Sequence, residues 1–430
     1  MRTRYGQTLT AQIAACLALT IIASAVKLIF APTFPSVDEL DLLFAACAAL
    51  TVVQAALCLT GFLLRFGIRH GLDYFRLCLK TLIPLRHALL DAGYSFRRVG
   101  LLGEYEELPK ILIERANGAK EVRVRIENSI RFDKRLDDVD ISSAVRGFVL
   151  ERAYLTDDRS WYVFEMVDAS SDFHMAFESY PDFRDYVLEN YDGRHWFLDS
   201  RSAPEVSSAL VVGQTGSGKS YLLYSLLLQL HVKGARLYVC DPKNSGLASL
   251  GMKVCPERTA VETDAIIALL EQFVASMEER KAEMRGLLAG RLDATAYDFG
   301  LRPSVLFIDE YAAMAYALRA RDKKARDHVA ELISSAILLG RQLGYALVVA
   351  MQKSDATLID TAMRENLPLV VVLGNAQPQT IVTAFGQGVD VPARNNMPGE
   401  GVFMEPRIAP MPKLLQAPEL RFLAGGIDFL

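Results

Sequence analysis

Cysteine is sparse in this chain and never spaced for a metal: there are six in 430 residues. Cys16, Cys47, Cys58 and Cys78 lie in or beside an apolar amino-terminal region, while Cys240 and Cys255 lie far apart around a predicted strand. That pattern excludes a cysteine-built zinc site and a disulfide framework, and makes a reducing compartment the expectation. Basic charge is not in excess either, with 47 Lys and Arg against 51 Asp and Glu and a formal net charge of -4. No global positive field advertises a nucleic-acid partner, so any contact with DNA must be local. Internal repeats and low-complexity tracts are also missing.

What the chain has in quantity is apolar residues, 51% of the total, concentrated at the start. Residues 9–26 form an uncharged stretch and 42–64 a second, longer one, each long enough to cross about 30 Å of hydrocarbon as a helix. PTFPSVDELD (32–41) joins them as a short acidic turn. Arg2 and Arg4 precede the first stretch, and Arg65, Arg69, His70 and Arg76 follow the second, whereas the turn has no basic residue. This asymmetry predicts a transmembrane hairpin over 1–70 in the cell membrane, with both ends cytoplasmic. Lys27, at the outer end of the first span, can snorkel to the interface. A cleaved signal peptide would need a shorter apolar core ahead of a secreted domain, and the nucleotide-binding motif downstream argues against export. A buried helical hairpin is the other alternative.

Residues 71–202 carry weaker signals. EVRVRIE (121–127) and SWYVFEMV (160–167) alternate like strands, and YPDFRDYVLEN (180–190) reads as a helix. The expectation is a small membrane-proximal α/β domain. From 203 to 430 the texture changes to near-continuous apolar runs separated by helical segments: SSALVVG (207–213), ARLYVCD (235–241), SVLFIDE (304–310), YALVVAMQ (345–352) and LPLVVVLG (367–374). Such runs indicate a mainly parallel α/β sheet buried on both faces, with its functional loops at the carboxyl ends of the strands.

GQTGSGKS (213–220) follows the first of these strands and opens a helix, the context in which a phosphate-binding loop works. Gly213, Gln214, Thr215, Gly216, Ser217 and Gly218 would curl backbone N–H groups around the phosphates of ATP, with Tyr221 completing the binding segment. Lys219 would reach the β/γ-phosphates and Ser220 would ligate Mg2+. LFIDE (306–310) ends a buried strand with two acids that are costly there without a cation or a catalytic use. Asp309 is the expected Mg2+ organiser and Glu310 the base that orients the attacking water. The bland reading of this pair is an acid capping a helix. Gln352 closes the next strand, where its amide could touch γ-phosphate and water. Arg341 and Arg364 flank that strand as candidates for a charge-stabilising finger, though surface arginines are common.

Taken together these motifs resemble the FtsK/SpoIIIE branch of the HerA-FtsK superfamily of DNA-pumping ATPases. DPK (241–243) is similar to that family's turn after the second strand, SMEERKAEM (276–284) to its helix ahead of the acidic strand, and the tract 340–368 to its sequence of arginine, glycine, strand, glutamine, helix and Asn-Ile-Pro. Carried over by position, the family's arginine before the strand falls on Arg341, its later basic residue on Arg364 and its glutamine on Gln352. Lys353 and Ser354 depart from the arginine-proline that normally follows the glutamine. The resemblance implies a RecA-like P-loop NTPase fold, ATP and Mg2+ as cofactors, and a homo-hexamer in which one subunit's arginine completes its neighbour's site.

Two spans, one P-loop and no long linker look like the TcpA-type coupling proteins, which deliver relaxase-bound DNA to a transfer channel. A conjugative coupling protein is therefore the leading expectation, with DNA, a relaxosome and secretion-channel proteins as partners. A chromosome-segregation pump, a protein-secretion ATPase of the EssC kind and an ATP-gated relaxosome receptor are the alternatives. RARDKKARDH (319–328) could face DNA or be a solvated helix face.

Overall fold

The computed structural model describes residues 4–30, 38–100, 103–116, 120–130, 136, 141–288, 291, 293–354, 358, 361–389, 391 and 395–428. The chain divides into two compact units, Met1–Ser171 and Asp172–Leu430.

The first unit begins with two long helices, α1 (Arg4–Phe30) and α2 (Asp38–Arg65), which pack against each other. They contain both apolar stretches. Arg2 and the turn residues 32–37 lie outside the described residues. Neither helix has a polar face to turn outward, so large apolar side chains stay uncovered: Ile21, Leu28, Ile29, Val52 and Leu57 are all exposed. Among the described residues, no helix is long and apolar enough to cross a membrane.

After them comes α3 (Leu72–Asp91), which buries Leu77, Cys78, Leu82, Leu85 and Leu89 along one face at the spacing of helical turns. A hairpin of β1 (Phe96–Gly100) and β2 (Gly103–Glu107) leads to β3 (Ile111–Ala116), β4 (Glu121–Glu127), β5 (Phe148–Leu155) and β6 (Trp161–Asp168). The last four form an antiparallel sheet in the order β3-β4-β6-β5. Strand β4 alternates as its sequence requires, with Val122, Val124 and Ile126 turned into the core shared with α3.

The second unit opens with β7 (Ala176–Phe177) and α4 (Tyr180–Asn190). Its main body runs β8 (Ala209–Gly213), α5 (Lys219–Val232), β9 (Arg236–Cys240), α6 (Gly246–Val254), β10 (Thr259–Ala260), α7 (Thr263–Leu288), β11 (Ser304–Ile308), α8 (Tyr311–Leu318), α9 (Lys323–Leu343), β12 (Tyr345–Met351), α10 (Thr361–Glu365), β13 (Leu369–Leu373), α11 (Pro378–Phe385), β14 (Glu400–Glu405), β15 (Ala409–Gln416) and β16 (Glu419–Leu420). Eight strands form one sheet in the order β10-β9-β11-β12-β8-β13-β14-β15. The pairs from β10 to β13 are parallel and the two involving β14 are antiparallel. All five apolar runs are strands of this mixed, mostly parallel sheet, and β8, β11 and β12 are buried at every position. Alternate side chains feed two cores: Leu210, Tyr238 and Leu306 pack with α7 and α9, while Val211, Val239 and Phe307 pack with α5 and α6.

The contact boundary at 171/172 lies ahead of the boundary expected at 202/203. Residues 172–202 fill the face under α5, where Phe183, Val187, Trp196 and Phe197 are buried. The Gln229 side chain fixes that packing by accepting from the Phe197 N–H at 2.8 Å and donating to its carbonyl at 3.1 Å. A strand or helix pattern carries no information about which neighbouring core it joins, so this segment reads as part of the preceding domain until its partners are seen.

Candidate functional site

Because the strands run parallel, the ends of β8, β9, β11, β12 and β13 meet at one edge of the sheet. Ile308 is level with Cys240, Met351 with Val212 and Leu373 with Gly213. That register brings the loops after these strands together, which sequence distance alone does not suggest.

The loop after β8 turns tightly through Gly216 (φ 83°) and Gly218 (φ 92°) into α5. A side chain at Gly218 would have its Cβ 2.5 Å from the Gly399 nitrogen, so this position requires glycine for space as well as for φ. Gly218 caps α5 without a side-chain acceptor, which leaves the first N–H groups of the helix open to an anion. Residues 397–399 close over the loop, and the Gly399 N–H donates to the Ser217 carbonyl at 2.8 Å.

Lys219 Nζ lies 2.7 Å from Asp309 Oδ1 in a largely buried ion pair. The Ser245 hydroxyl donates to Asp241 Oδ2 at 2.7 Å and stands 3.2 Å from Asp309 Oδ2. Glu310 is buried and takes a left-handed backbone conformation (φ 58°, ψ 68°) at the start of α8. A non-glycine residue there stores strain, a feature concentrated at functional sites. Its carboxylate accepts from Lys243 Nζ at 3.0 Å and from the Gln352 N–H at 3.3 Å. Asp241 shapes the turn that presents Lys243, accepting from the N–H groups of Lys243, Ser245 and Ala248.

These groups line a cavity of about 410 Å³ whose walls include Gln214, Thr215, Gly216, Gly218, Lys219, Ser220, Tyr221, Asp309, Glu310 and Gln352. Gly213 ends the strand beneath it, and Ser217 is buried in the loop. Tyr224, one turn into α5, stands beside this charge. Burial raises its phenol pKa, the carboxylates of Asp309 and Asp241 raise it further, and a hydrogen bond with Ser220 opposes them. Lys243, Ser245, Tyr224, Pro398 and Gly399 were not singled out as site residues from the sequence. Of these only Lys243 lay in a recognised motif, the DPK turn, and nothing local pointed to Ser245, Tyr224 or 398–399.

Among the described residues no cluster of three His, Cys, Asp or Glu side chains could hold a metal unaided. Of the oxygen donors that line the cavity, the Ser220 hydroxyl and the Asp309 carboxylate are the pair expected to face a metal; they are hard, and two such ligands do not make a protein cage. Such a set fits Mg2+, which binds through one or two protein oxygens and completes its shell with phosphate and water.

The two candidate fingers stand elsewhere. Arg341 is exposed in the last turn of α9, before β12 begins, and so lies at the amino end of the parallel strands. The length of β12, about 20 Å, separates it from its own chain's cavity. Arg364 donates from Nη1 to the Thr383 carbonyl at 3.4 Å and belongs to the α10–α11 packing. The basic segment 319–328 spans the α8–α9 junction, where Arg321 pairs with Asp264 at 2.7 Å and His328 with Glu271 at 2.9 Å.

Residues 186–304 match the FtsK/SpoIIIE family. The FtsK domain-containing protein YdcQ of Bacillus subtilis (strain 168) is 32% identical over 165 residues, covering 38% of this chain and 34% of YdcQ. The chain thus spans about a third of that relative's length. Among solved structures, the pCW3 conjugation coupling protein TcpA in its monomer form with ATPγS is 18% identical, with a TM-score of 0.49 over 80% of this chain and 95% of that one. The cytoplasmic domain of the type VII secretion ATPase EccC from Thermomonospora curvata is 21% identical, with a TM-score of 0.39 over 53% of this chain and 28% of that one. Residues 186–304, which carry the phosphate-binding loop, are thus similar to the FtsK/SpoIIIE family, and the sheet that assembles the ordered motifs is that of a P-loop NTPase.

Proposed function

We propose that the chain is a membrane-anchored, Mg2+-dependent ATPase that drives DNA through a ring of its own copies, acting as a conjugative coupling protein. The observation that carries the ATPase reading is the convergence of Lys219, Asp309 and Glu310 on one cavity at the carboxyl edge of the sheet. In this reading the loop amides and Lys219 hold a triphosphate, and Ser220 and Asp309 hold Mg2+, which offsets the phosphate charge when bound. Glu310 takes the proton of the attacking water, held in place by Lys243 and by the Gln352 N–H, while the Gln352 side chain faces the same space.

Arg341 supports a ring. At the far edge of the sheet it cannot complete its own site, and a neighbour's site is where a finger in that position acts. Membrane anchoring is supported by the exposed apolar side chains of α1 and α2, which are costly in water and stable in hydrocarbon. The match of 186–304 to the FtsK/SpoIIIE family supports DNA as the cargo. Two predicted spans leading through a small α/β unit to a P-loop unit are the arrangement we read as conjugation rather than chromosome segregation, with delivery of relaxosome-bound DNA to a channel as the role.

The deciding experiment measures phosphate release by the purified full chain alone, with single-stranded DNA and with duplex, using Lys219→Ala as the control. Magnesium-dependent turnover that rises with one form of DNA is expected, and the form that stimulates identifies the cargo. Turnover indifferent to both forms refutes the translocase, and turnover that survives Lys219→Ala refutes the site.

A further inference from the structure

The first unit holds a cavity of its own, of about 800 Å³, walled by the end of α2, by α3 and by the β1–β2 hairpin. Phe66, Ile83 and Leu90 give it apolar wall, and Arg65, Arg86 and Glu106 stand among its charged groups. A space of that size suits a small organic ligand or the polar end of a larger one.

Much of the charge in this lining is already matched. Arg98 Nε pairs with Glu107 Oε2 at 2.5 Å, Glu127 Oε2 accepts from the Lys110 N–H at 3.2 Å, and Lys110 Nζ sits over the Trp161 ring. Arg86 and Glu106 are the exceptions. Neither side chain makes a hydrogen bond or ion pair with another described residue, and Arg86 Nε and Glu106 Oε2 are both buried. Burial, and then the Arg65 guanidinium nearby, hold the Arg86 pKa below its usual value. An arginine nevertheless stays charged, so Arg86 carries a positive charge that nothing offsets. Glu106 adds an unmatched acceptor to the same wall. Each costs free energy that a ligand can recover, and a ligand that serves both must carry a negative and a positive group.

The place of the cavity in the fold points to the source of that ligand. Helix α2 carries the exposed side chains Val53, Leu57 and Leu64 up to Arg65, where a membrane hairpin would leave the hydrocarbon and meet the headgroups. We propose that this cavity binds the phosphoethanolamine headgroup of a membrane lipid, with its phosphate on Arg65 and Arg86 and its ammonium on Glu106. Guanidinium groups match phosphate oxygens in charge and in donor geometry. A primary ammonium donates to the Glu106 carboxylate, which a trimethylated one cannot do. This inference rests on the membrane-anchored reading above, because it takes the lipid from it.

Two measurements on the full chain keep the readings apart. Flotation with phosphatidylcholine vesicles in a density gradient reports anchoring alone, and the chain should float. Native mass spectrometry in detergent, titrated with dioctanoyl lipids, reports the headgroup. Phosphatidylethanolamine should bind about tenfold tighter than phosphatidylcholine or phosphatidylglycerol. Water-soluble glycerophosphoethanolamine, which lacks the acyl chains, should bind at least about tenfold more weakly than the lipid. Arg86→Gln should weaken all three lipids by about tenfold without lowering Tm, since the charge it removes has no partner. Glu106→Gln should weaken phosphatidylethanolamine alone, to within about threefold of phosphatidylcholine. Equal binding of the three lipids, tighter binding of phosphatidylglycerol, a preference untouched by Glu106→Gln, a lower Tm in Arg86→Gln, or glycerophosphoethanolamine binding as tightly as the lipid would each overturn the proposal while the anchor stands. Failure to float would bring down the anchor and this inference with it.

Discussion

Glu310→Gln separates chemistry from stability most sharply. The substitution keeps the side chain's volume and an oxygen that can accept from the Gln352 N–H, but it removes the charge facing Lys243. That lysine side chain is 45% exposed, so solvent screens the pair and its loss costs about 1 kcal/mol or less. For a folded unit of this size that corresponds to a fall of about 2–4 °C in Tm. The effect on turnover is of another order. Loss of a positioned general base costs about 10²–10⁴ in rate, or roughly 3–5 kcal/mol at 1.36 kcal/mol per decade. Nucleotide binding should persist, because the loop amides and Lys219 are untouched. Lys243→Met tests how Glu310 is held: turnover should fall, but less than in Glu310→Gln. Combined with Glu310→Gln it should add no further loss, because Lys243 acts through the carboxylate already removed. A phosphate-release assay, a fluorescent-nucleotide titration and a thermal melt read all three quantities. A Glu310→Gln enzyme that keeps a third of its rate would refute the assignment of the base, and additive losses in the double variant would refute the coupling.

Other substitutions test other parts of the structure. Gly218→Ala should cost about 1–2 kcal/mol in backbone strain alone, with more from its clash with Gly399, and should abolish nucleotide binding; a variant that melts and binds like the parent would contradict the closure of 397–399 over the loop. Mixing inactive Arg341→Ala and Lys219→Ala subunits should restore part of the activity, since each supplies what its neighbour lacks, and a mixture as dead as its components would place Arg341 outside catalysis. Burial lowers the pKa of His231 on α5 below its usual 6.5. The folded state therefore resists protonating it, and the stability present above that pH declines as pH falls through the lower, folded value. His231→Gln should flatten the fall in Tm between pH 7 and pH 5, and an identical profile would show that other groups carry it.

Five of the parallel strands, the loop at 213–220 and the acids Asp309 and Glu310 were legible in the sequence. Each is a local pattern: an apolar run long enough for one buried strand, a glycine-spaced turn into a helix, and two charges where an apolar run ends. The order in which the strands lie side by side is not local, and the order decides which loops touch. Tertiary structure alone set Lys243 against Glu310 and Gly399 against Gly218, across 67 and 181 residues of chain. It also placed residues 172–202 in the unit that carries the phosphate-binding loop, because their aromatic side chains fill a face that α5 leaves open. Arg341 and Gln352 are near neighbours in sequence yet stand at opposite edges of the sheet, because the strand between them is fully extended. Sequence named most of the groups able to do this chemistry, and the register of the sheet determined which of them share a site.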